Sequence, residues 1–290
     1  PRSLLASGGT AKWRQATLEA GELVDVTVLT NTKRWAFDME ARYTIALVVI
    51  ERSGGRPTFG VAGPFESIDA FAKDRLNPIE VPSTAPSTWS PSSMLPLIPD
   101  ALMRDALLQM YQAGRGILSA SHPWVATTYN EMHSTKEKPY IVQADQPSEK
   151  LWPVYKGESI QVWNPDTGIY YGWSDWKRVV TDFLMAKRPR QSRTSTSAYF
   201  GMPDKWFKDP KTLPCMAPRV AWRKIARATD TRTVHVALIP PKVFVADHCY
   251  LVFFKQSEVG DDAFMLGCMS SLPYDWVRLT STRRRATQSY

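Results

Sequence analysis

From residue 151 onward, short runs of β-branched and aromatic residues alternate with turn residues, and this pattern constrains the fold more than any other feature. The runs cover residues 152–155, 160–163, 168–173, 217–224, 234–239, 243–245 and 250–254. Runs of this length, bounded by turn residues, are typical of strands. Two helices are predicted as well, over residues 176–185 and 263–271. Residues 151–290 are therefore predicted to form a mixed α+β, mainly β, domain.

The first 75 residues combine a short helix with two strand patterns. Residues 12–21 predict a helix that ends at Gly21, and residues 24–29 alternate apolar and polar side chains as a strand does. Residues 42–50 form a nearly continuous β-prone run, which predicts a strand buried on both faces. A helix followed by buried strands indicates an α/β sheet.

Six prolines between positions 78 and 99 separate these two regions. Such a stretch predicts an ordered but irregular linker, or an arm that crosses a surface. An amphipathic helix pattern follows over residues 100–112, with Asp100 at the capping position. The chain is therefore predicted to have three parts, which are residues 1–75, a Pro-rich linker with a helix over residues 76–150, and residues 151–290.

The net positive charge of the chain lies entirely in its second half. Residues 1–150 carry 15 basic and 16 acidic side chains, whereas residues 151–290 carry 21 basic and 12 acidic ones. A basic domain beside a neutral one is typical of a polyanion-binding module. Ordinary solubility charge is the alternative, but Lys and Arg interleaved with aromatic residues suit nucleic acid better.

Two basic segments are the candidates for nucleic-acid contact. Residues 187–196 hold four cations and several hydroxyls but no acid, so they could follow a phosphate backbone. In residues 218–233, strand alternation would place Arg219 and Arg223 on one face, where a guanidinium can bind phosphate or the O6/N7 edge of guanine. The candidates are Lys187, Arg188, Arg190 and Arg193 for phosphate, and Arg219, Arg223, Arg227 and Arg232 for phosphate or bases. The alternatives are a flexible surface loop for the first segment and structural arginines for the second.

Aromatic residues are frequent near the start of this second half. The set consists of Trp152, Tyr155, Trp163, Tyr170, Tyr171, Trp173 and Trp176. Stacking on an extruded base is one role open to them, and core packing is the more common one.

Several functional classes lack their sequence signatures. No apolar run approaches the ~20 residues of a membrane span. Three cysteines without a CxxC pair, and no visible signal peptide, favour a reducing, cytoplasmic compartment. The four histidines do not stand at metal-ligand spacing, so no metal is expected. Gly-rich phosphate loops and a GxSxG elbow are also absent, so the residues alone predict no catalytic site.

The order of short motifs along the chain suggests a family. One set comprises residues 1–9, Trp13-Arg14, Leu18, 24–29, Asn31, 35–37 and 42–47. A second set comprises residues 155–157, Ile160, Tyr170, 218–227, 231–233, 237–240 and 272–276. Together they resemble the large adenine-specific DNA methyltransferases of type IIG restriction–modification enzymes and of the BREX and DISARM phage-defence systems. The first set resembles the end of the class I, Rossmann-like methyltransferase domain, and the second resembles the target-recognition domain.

The resemblance implies S-adenosylmethionine-dependent methylation of N6 of a flipped adenine, with double-stranded DNA as the partner. The family's Gly-rich cofactor loop and its Asn/Asp-Pro-Pro-aromatic tetrapeptide do not occur here, and Pro240-Pro241 is followed by Lys242. In the family both motifs precede the part that residues 1–50 resemble, and Pro1 reads like the interior of a domain. We therefore expect a longer polypeptide in which the cofactor is bound mainly by a part not in this chain.

On this interpretation the chain alone would not methylate, and no catalytic or cofactor-binding residue is assigned to it. Its expected protein partners are the remaining methyltransferase portion and other subunits of the defence system. A non-enzymatic nucleic-acid or protein interaction module of a defence complex is the alternative function. A complete small enzyme of another class is a third, for which the residues give no support.

Overall fold

The fold is described from a computed structural model, which describes residues 3–41, 43–113, 126–144, 147–226, 230–255 and 259–282. Over these ranges the protein is a mixed α/β structure with two mixed sheets and one antiparallel sheet. The chain divides into two compact units. Unit 1 comprises residues 1–115 and 277–290, and unit 2 comprises residues 116–276.

Unit 1 is built on a four-stranded sheet in the order β2-β1-β3-β4. The strands are β1 (Leu23–Thr30), β2 (Thr44–Ile50), β3 (Thr58–Phe65) and β4 (Ile79–Pro82). The helices are α1 (Ser3–Ala6), α2 (Ala11–Glu19), α3 (Ile68–Asp74), α4 (Ala85–Trp89) and α5 (Ala101–Ala113). β1 runs parallel to β3 and antiparallel to β2, and β4 is antiparallel to β3.

Two expectations for unit 1 are wrong. The strand predicted over residues 42–50 is the edge strand β2, and Val49 and Ile50 are half exposed instead of buried. A continuous apolar run predicts that a strand forms, but it does not predict whether one face or both faces of that strand are buried. The Pro-rich stretch is not irregular throughout, because β4 pairs with β3 and Leu97 and Ile98 are buried.

Unit 2 contains two sheets. The strands are β5 (Ala126–Tyr129), β6 (Leu151–Tyr155), β7 (Tyr170–Asp175), β8 (Arg219–Arg223), β9 (Val236–Ile239), β10 (Phe244–Val245) and β11 (Cys249–Phe254). One sheet has the order β10-β6-β7 and the other has the order β5-β11-β8-β9. Six of the seven predicted strands are confirmed as β6 to β11. The seventh, over residues 160–163, is wrong, because Gln161 and Asn164 bridge a tight turn there.

The remaining helices lie in the second half of the sequence. They are α6 (Trp176–Arg178), a π-helix (Val179–Met185), α7 (Ala186–Gln191), α8 (Asp204–Lys208), α9 (Val259–Ser270) and α10 (Leu272–Thr282). The segment from α6 to α7 is continuous, so the helix predicted over residues 176–185 extends six residues further, to Gln191. Its buried Val179, Val180 and Leu184 pack with Val154 and Phe244 of the three-stranded sheet.

A second apolar cluster of unit 2 joins its sheets to the segment that follows α7. Tyr155 and Ile160 pack there with Leu251 of β11 and with Tyr199, and Trp206 packs against the same cluster. Within the part of the chain that the structure describes, no helix has the length and apolar character needed to cross a membrane.

Candidate nucleic-acid interface

Most of the chain's net positive charge lies between the start of α6 and the loop after α8. Residues 176–211 contain nine basic and three acidic side chains, an excess of six out of the net +8 of the whole chain. The fold determines which of these cations face solvent. Exposed cations are available to a polyanion, whereas buried cations must find partners within the protein.

Arg188 is buried and is held by the protein itself. Its side chain is 1% exposed, and its Nη1 donates hydrogen bonds to the carbonyl oxygens of Trp206 (2.9 Å) and Asp209 (3.1 Å) and to Oγ1 of Thr212 (2.9 Å). The guanidinium carbon lies 3.8 Å from the centre of the Trp206 ring. Arg188 therefore joins α7 to residues 206–212, and it cannot contact a phosphate in this conformation.

Lys187 is also turned toward the protein. Its Nζ donates to the carbonyl oxygen of Glu131 (2.9 Å) and lies 3.7 Å from the centre of the Phe183 ring. Burial lowers the pKa of Lys187, against the opposing effect of the Glu137 and Glu131 charges. Its ammonium is thus committed to packing and to a carbonyl, which weakens its assignment as a phosphate contact.

The other two candidates of this segment, Arg190 and Arg193, are exposed. Three exposed lysines, Lys205, Lys208 and Lys211, lie on the segment that Arg188 holds against α7. We call these five residues the basic patch. The sequence prediction missed the lysines, and their signal was the charge excess over residues 176–211.

Arg219 is the second buried cation, at 4% exposed. Its Nη2 donates to Oε2 of Glu131 (3.0 Å) and to the carbonyl oxygen of Val243 (2.9 Å), and the same Oε2 accepts the backbone N–H of Val245 (2.9 Å). Burial raises the pKa of Glu131, although the positive charge of Arg219 acts against this. A direct contact between Arg219 and DNA is thus excluded in this conformation, and the structural-arginine alternative describes it correctly.

The remaining candidates of the second segment are partly committed. The guanidinium of Arg223 donates from Nε (3.1 Å) and Nη2 (2.9 Å) to the carbonyl oxygen of Ile160. Arg232 pairs with Asp275 (3.3 Å) and donates to the carbonyl oxygen of Ser270 (2.6 Å). Arg219 and Arg223 both belong to β8, but their guanidiniums bind different parts of unit 2. Arg227 lies outside the described residues.

Most of the aromatic set packs inside the protein. Trp152 stacks on Trp176 with ring centres 5.3 Å apart, and Tyr155 stacks on Tyr170 at 5.6 Å. Core packing is therefore confirmed for the buried Trp152 and Tyr155. Trp163 differs from the others because 68% of it is exposed.

A recess lies between α7 and the buried ion pair. It has an empty volume of about 280 Å³, open space included, and is lined by Asn130, Glu131, Leu184, Lys187, Arg188, Gln191, Tyr199, Leu213 and Pro214. Nε and Nη2 of Arg188 have no acceptor among the described residues. Cations thus outnumber acids in its lining, which adds to the positive potential of this side of unit 2.

Within the ranges that the structure describes, neither the implied cofactor nor a metal has an evident site. The recess of unit 1 is lined by Leu5, Trp13, Arg14, Thr17, Leu18, Leu23 and Leu95. The guanidinium of Arg14 in this recess already donates to the carbonyl oxygens of Leu4, Ser92 and Ser93. This recess does not fit S-adenosylmethionine, whose positive sulfonium a buried cation would repel. Among the described residues, no three His, Cys, Asp or Glu side chains are grouped as metal ligands.

No protein-family model matches the chain, and no curated protein matches it either.

Proposed function

We propose that unit 2 binds double-stranded DNA through the basic patch, as the recognition portion of a site-specific adenine-N6 DNA methyltransferase of a restriction–modification or phage-defence system. The observation that carries the DNA-binding part is the basic patch itself. Five exposed cations lie on two segments that the buried Arg188 joins. The methyltransferase context is supported only by the resemblance of the sequence motifs.

In this proposal, the exposed cations bind phosphates and position the duplex. Arg190 and Arg193 offer planar forks that can bind a phosphate through two N–H donors, and the lysines act as mobile point charges. Phosphate contacts supply affinity without reading sequence. Sequence would be read by other side chains, of which Arg223 and the exposed Lys224 at the end of β8 are the candidates.

The proposal assigns no catalytic step to this chain. The catalytic tetrapeptide and the cofactor loop of the family do not occur in its sequence. The recess of unit 1 holds the buried Arg14 and does not suit the cofactor, so no residue of this chain is assigned a part in methyl transfer.

The test is a salt titration of the chain's binding to a duplex of random sequence and to an RNA duplex of the same length. Three to five phosphate contacts predict that log K falls with log[salt] with a slope of about −3 to −4.5 for DNA. Absence of DNA binding at about 50 mM salt would contradict the proposal. If the chain bound the RNA duplex more tightly than the DNA duplex, or bound neither duplex, the result would favour the alternative of a non-enzymatic interaction module in a defence complex.

A further inference from the structure

Trp163 occupies the tip of a tight turn whose backbone does not suit it. Gln161 and Asn164 exchange backbone hydrogen bonds of 2.9 and 3.0 Å, which leaves Val162 and Trp163 as the two turn residues. Trp163 has a φ of 62°. In a turn with a positive φ at its second central residue, Gly or Asn is the usual occupant, because a side chain beyond Cβ is crowded there.

The strained turn belongs to a loop that is firmly hydrogen-bonded. The backbone N–H of Thr167 donates to the carbonyl oxygen of Ser159 (3.0 Å), and that of Gly168 donates to Oδ1 of Asp166 (2.9 Å). The hydroxyl of Tyr170 donates to Oδ2 of the same Asp166 (2.9 Å). A backbone held in this way can maintain an unfavourable φ, and such strain is concentrated at functional sites.

The turn presents the indole to solvent, and a second exposed apolar side chain follows the strand that contacts the root of the loop. Arg223 holds the carbonyl oxygen of Ile160 at the root of the loop, so the end of β8 lies against it. Two residues further on, Ile225 is 77% exposed, and between them Lys224 is exposed too. Exposed apolar side chains flanked by cations are typical of loops that contact unstacked or opened base steps.

The loop and the basic patch are anchored in one apolar cluster. Ile160 and Tyr170, which flank the Trp163 loop, pack in the same cluster as Tyr199 and Trp206. The latter two lie in the segment between Arg193 and Lys208. A duplex on the basic patch would therefore contact segments that pack on the same apolar cluster as the Trp163 turn.

We propose that Trp163 stacks on a DNA base when unit 2 binds a duplex, while the basic patch holds the phosphates. This inference rests on the proposed function. Stacking by an indole face tolerates any base, so Trp163 adds affinity and deformation of the duplex but no base preference. A protein partner would use the same side chain as an apolar anchor, and the experiment distinguishes the two.

The first test replaces Trp163 and measures DNA affinity as a function of salt. Trp163→Ala is expected to weaken binding to a random duplex roughly 5- to 150-fold, the range of one lost stacking contact, without changing the salt slope. Trp163→Phe should recover most of the affinity. Leu76→Ala is the matched control, since Leu76 is an exposed apolar residue of unit 1.

A second variant separates a binding role from a structural one. Asn adopts a positive φ more easily than Trp, so Trp163→Asn should raise the Tm by about 2–4 °C while DNA affinity falls. A lowered Tm would indicate that the indole supports the fold. If Trp163→Ala and Trp163→Asn both bind DNA within twofold of wild type, the stacking role of Trp163 is wrong, but the proposed function stands. If the wild-type chain binds no DNA, the stacking role and the proposed function are both wrong.

Discussion

Arg188 and Arg190 lie two residues apart in α7, yet the two side chains have opposite environments. Successive residues of a helix are about 100° apart around its axis, so these two lie about 200° apart. Arg188 is turned toward Trp206 and is 1% exposed, whereas Arg190 faces solvent. The first holds two segments together, and the second is free to bind an external anion. Within α7, a cation's role is thus decided by helix phase and not by its place in a charged run.

The same contrast separates the whole buried charge cluster from the basic patch. Glu131, Arg219 and Arg188 are buried and bound by backbone carbonyls, an N–H group or each other. Removing one partner of such a cluster leaves a charge without compensation in a poorly solvated place. Removing a cation of the basic patch leaves nothing uncompensated. The buried cluster should therefore control stability, and the basic patch should control binding.

The largest effect is expected for Glu131→Gln. The substitution keeps the shape of the side chain but leaves the buried guanidinium of Arg219 without its counter-charge, so unfolding should become easier by about 3–5 kcal/mol. Urea-induced unfolding followed by circular dichroism measures this. Glu149→Gln, which neutralises an exposed carboxylate of the same unit, should change stability by no more than about 0.5 kcal/mol. Equal effects of the two variants would contradict the account of the buried pair.

A smaller effect is expected for Arg188→Met. It removes the donors to Trp206, Asp209 and Thr212 but keeps apolar bulk, and Oγ1 of Thr212 can still donate its one proton to either carbonyl oxygen. We expect a loss of about 1.5–3 kcal/mol. The matched variant Arg190→Met should remain within about 0.5 kcal/mol of wild type. Thermal and urea unfolding of the pair would sharpen the comparison, and a reversed order would break it.

The smallest effect concerns acid stability through Asp247. Burial acts to raise its pKa, but hydrogen bonds from Ser134 and the nearby His133 outweigh this and lower the pKa to about 2. A folded-state pKa below the unfolded value of 3.8 stabilises the fold above about pH 4, and this stability is lost as the pH falls toward 2. Asp247→Asn should therefore flatten the stability curve between pH 4 and 2. Asp204→Asn, at an exposed position, should leave the curve as in wild type.

The strands of unit 2 could be predicted from the sequence because their signal is local. Alternation and turn residues gave β6 to β11 in order, and only the run over residues 160–163 was misread. β5 was missed because Ala126–Tyr129 is short and polar. Its pairing with β11 depends on residues more than 120 positions away. The exposure of β2 could not be predicted for a related reason, since the residue pattern of a strand does not show which other elements pack against it.

The candidate site was predictable only in part. The sequence identified the right charged segment but could not tell Arg188 from Arg190, because Arg188 is buried by residues 18 to 24 positions further on. The partner of Arg219 is Glu131, 88 positions away, and no local pattern signals that pair. Likewise, Trp163 belonged to a set of seven aromatics, and only its turn geometry separates it from the core.

The central claim is that the exposed cations of the basic patch, and not the buried ones, bind DNA phosphates. The most direct measurement is the salt dependence of duplex binding by Arg190→Gln/Arg193→Gln, compared with Arg52→Gln/Lys73→Gln, which removes two exposed cations from unit 1. We predict that the first double variant lowers the steepness of log K against log[salt] by about 1–2 with unchanged stability, and that the second leaves it as in wild type. An unchanged slope for the first variant, or an equal decrease for both, would contradict the claim.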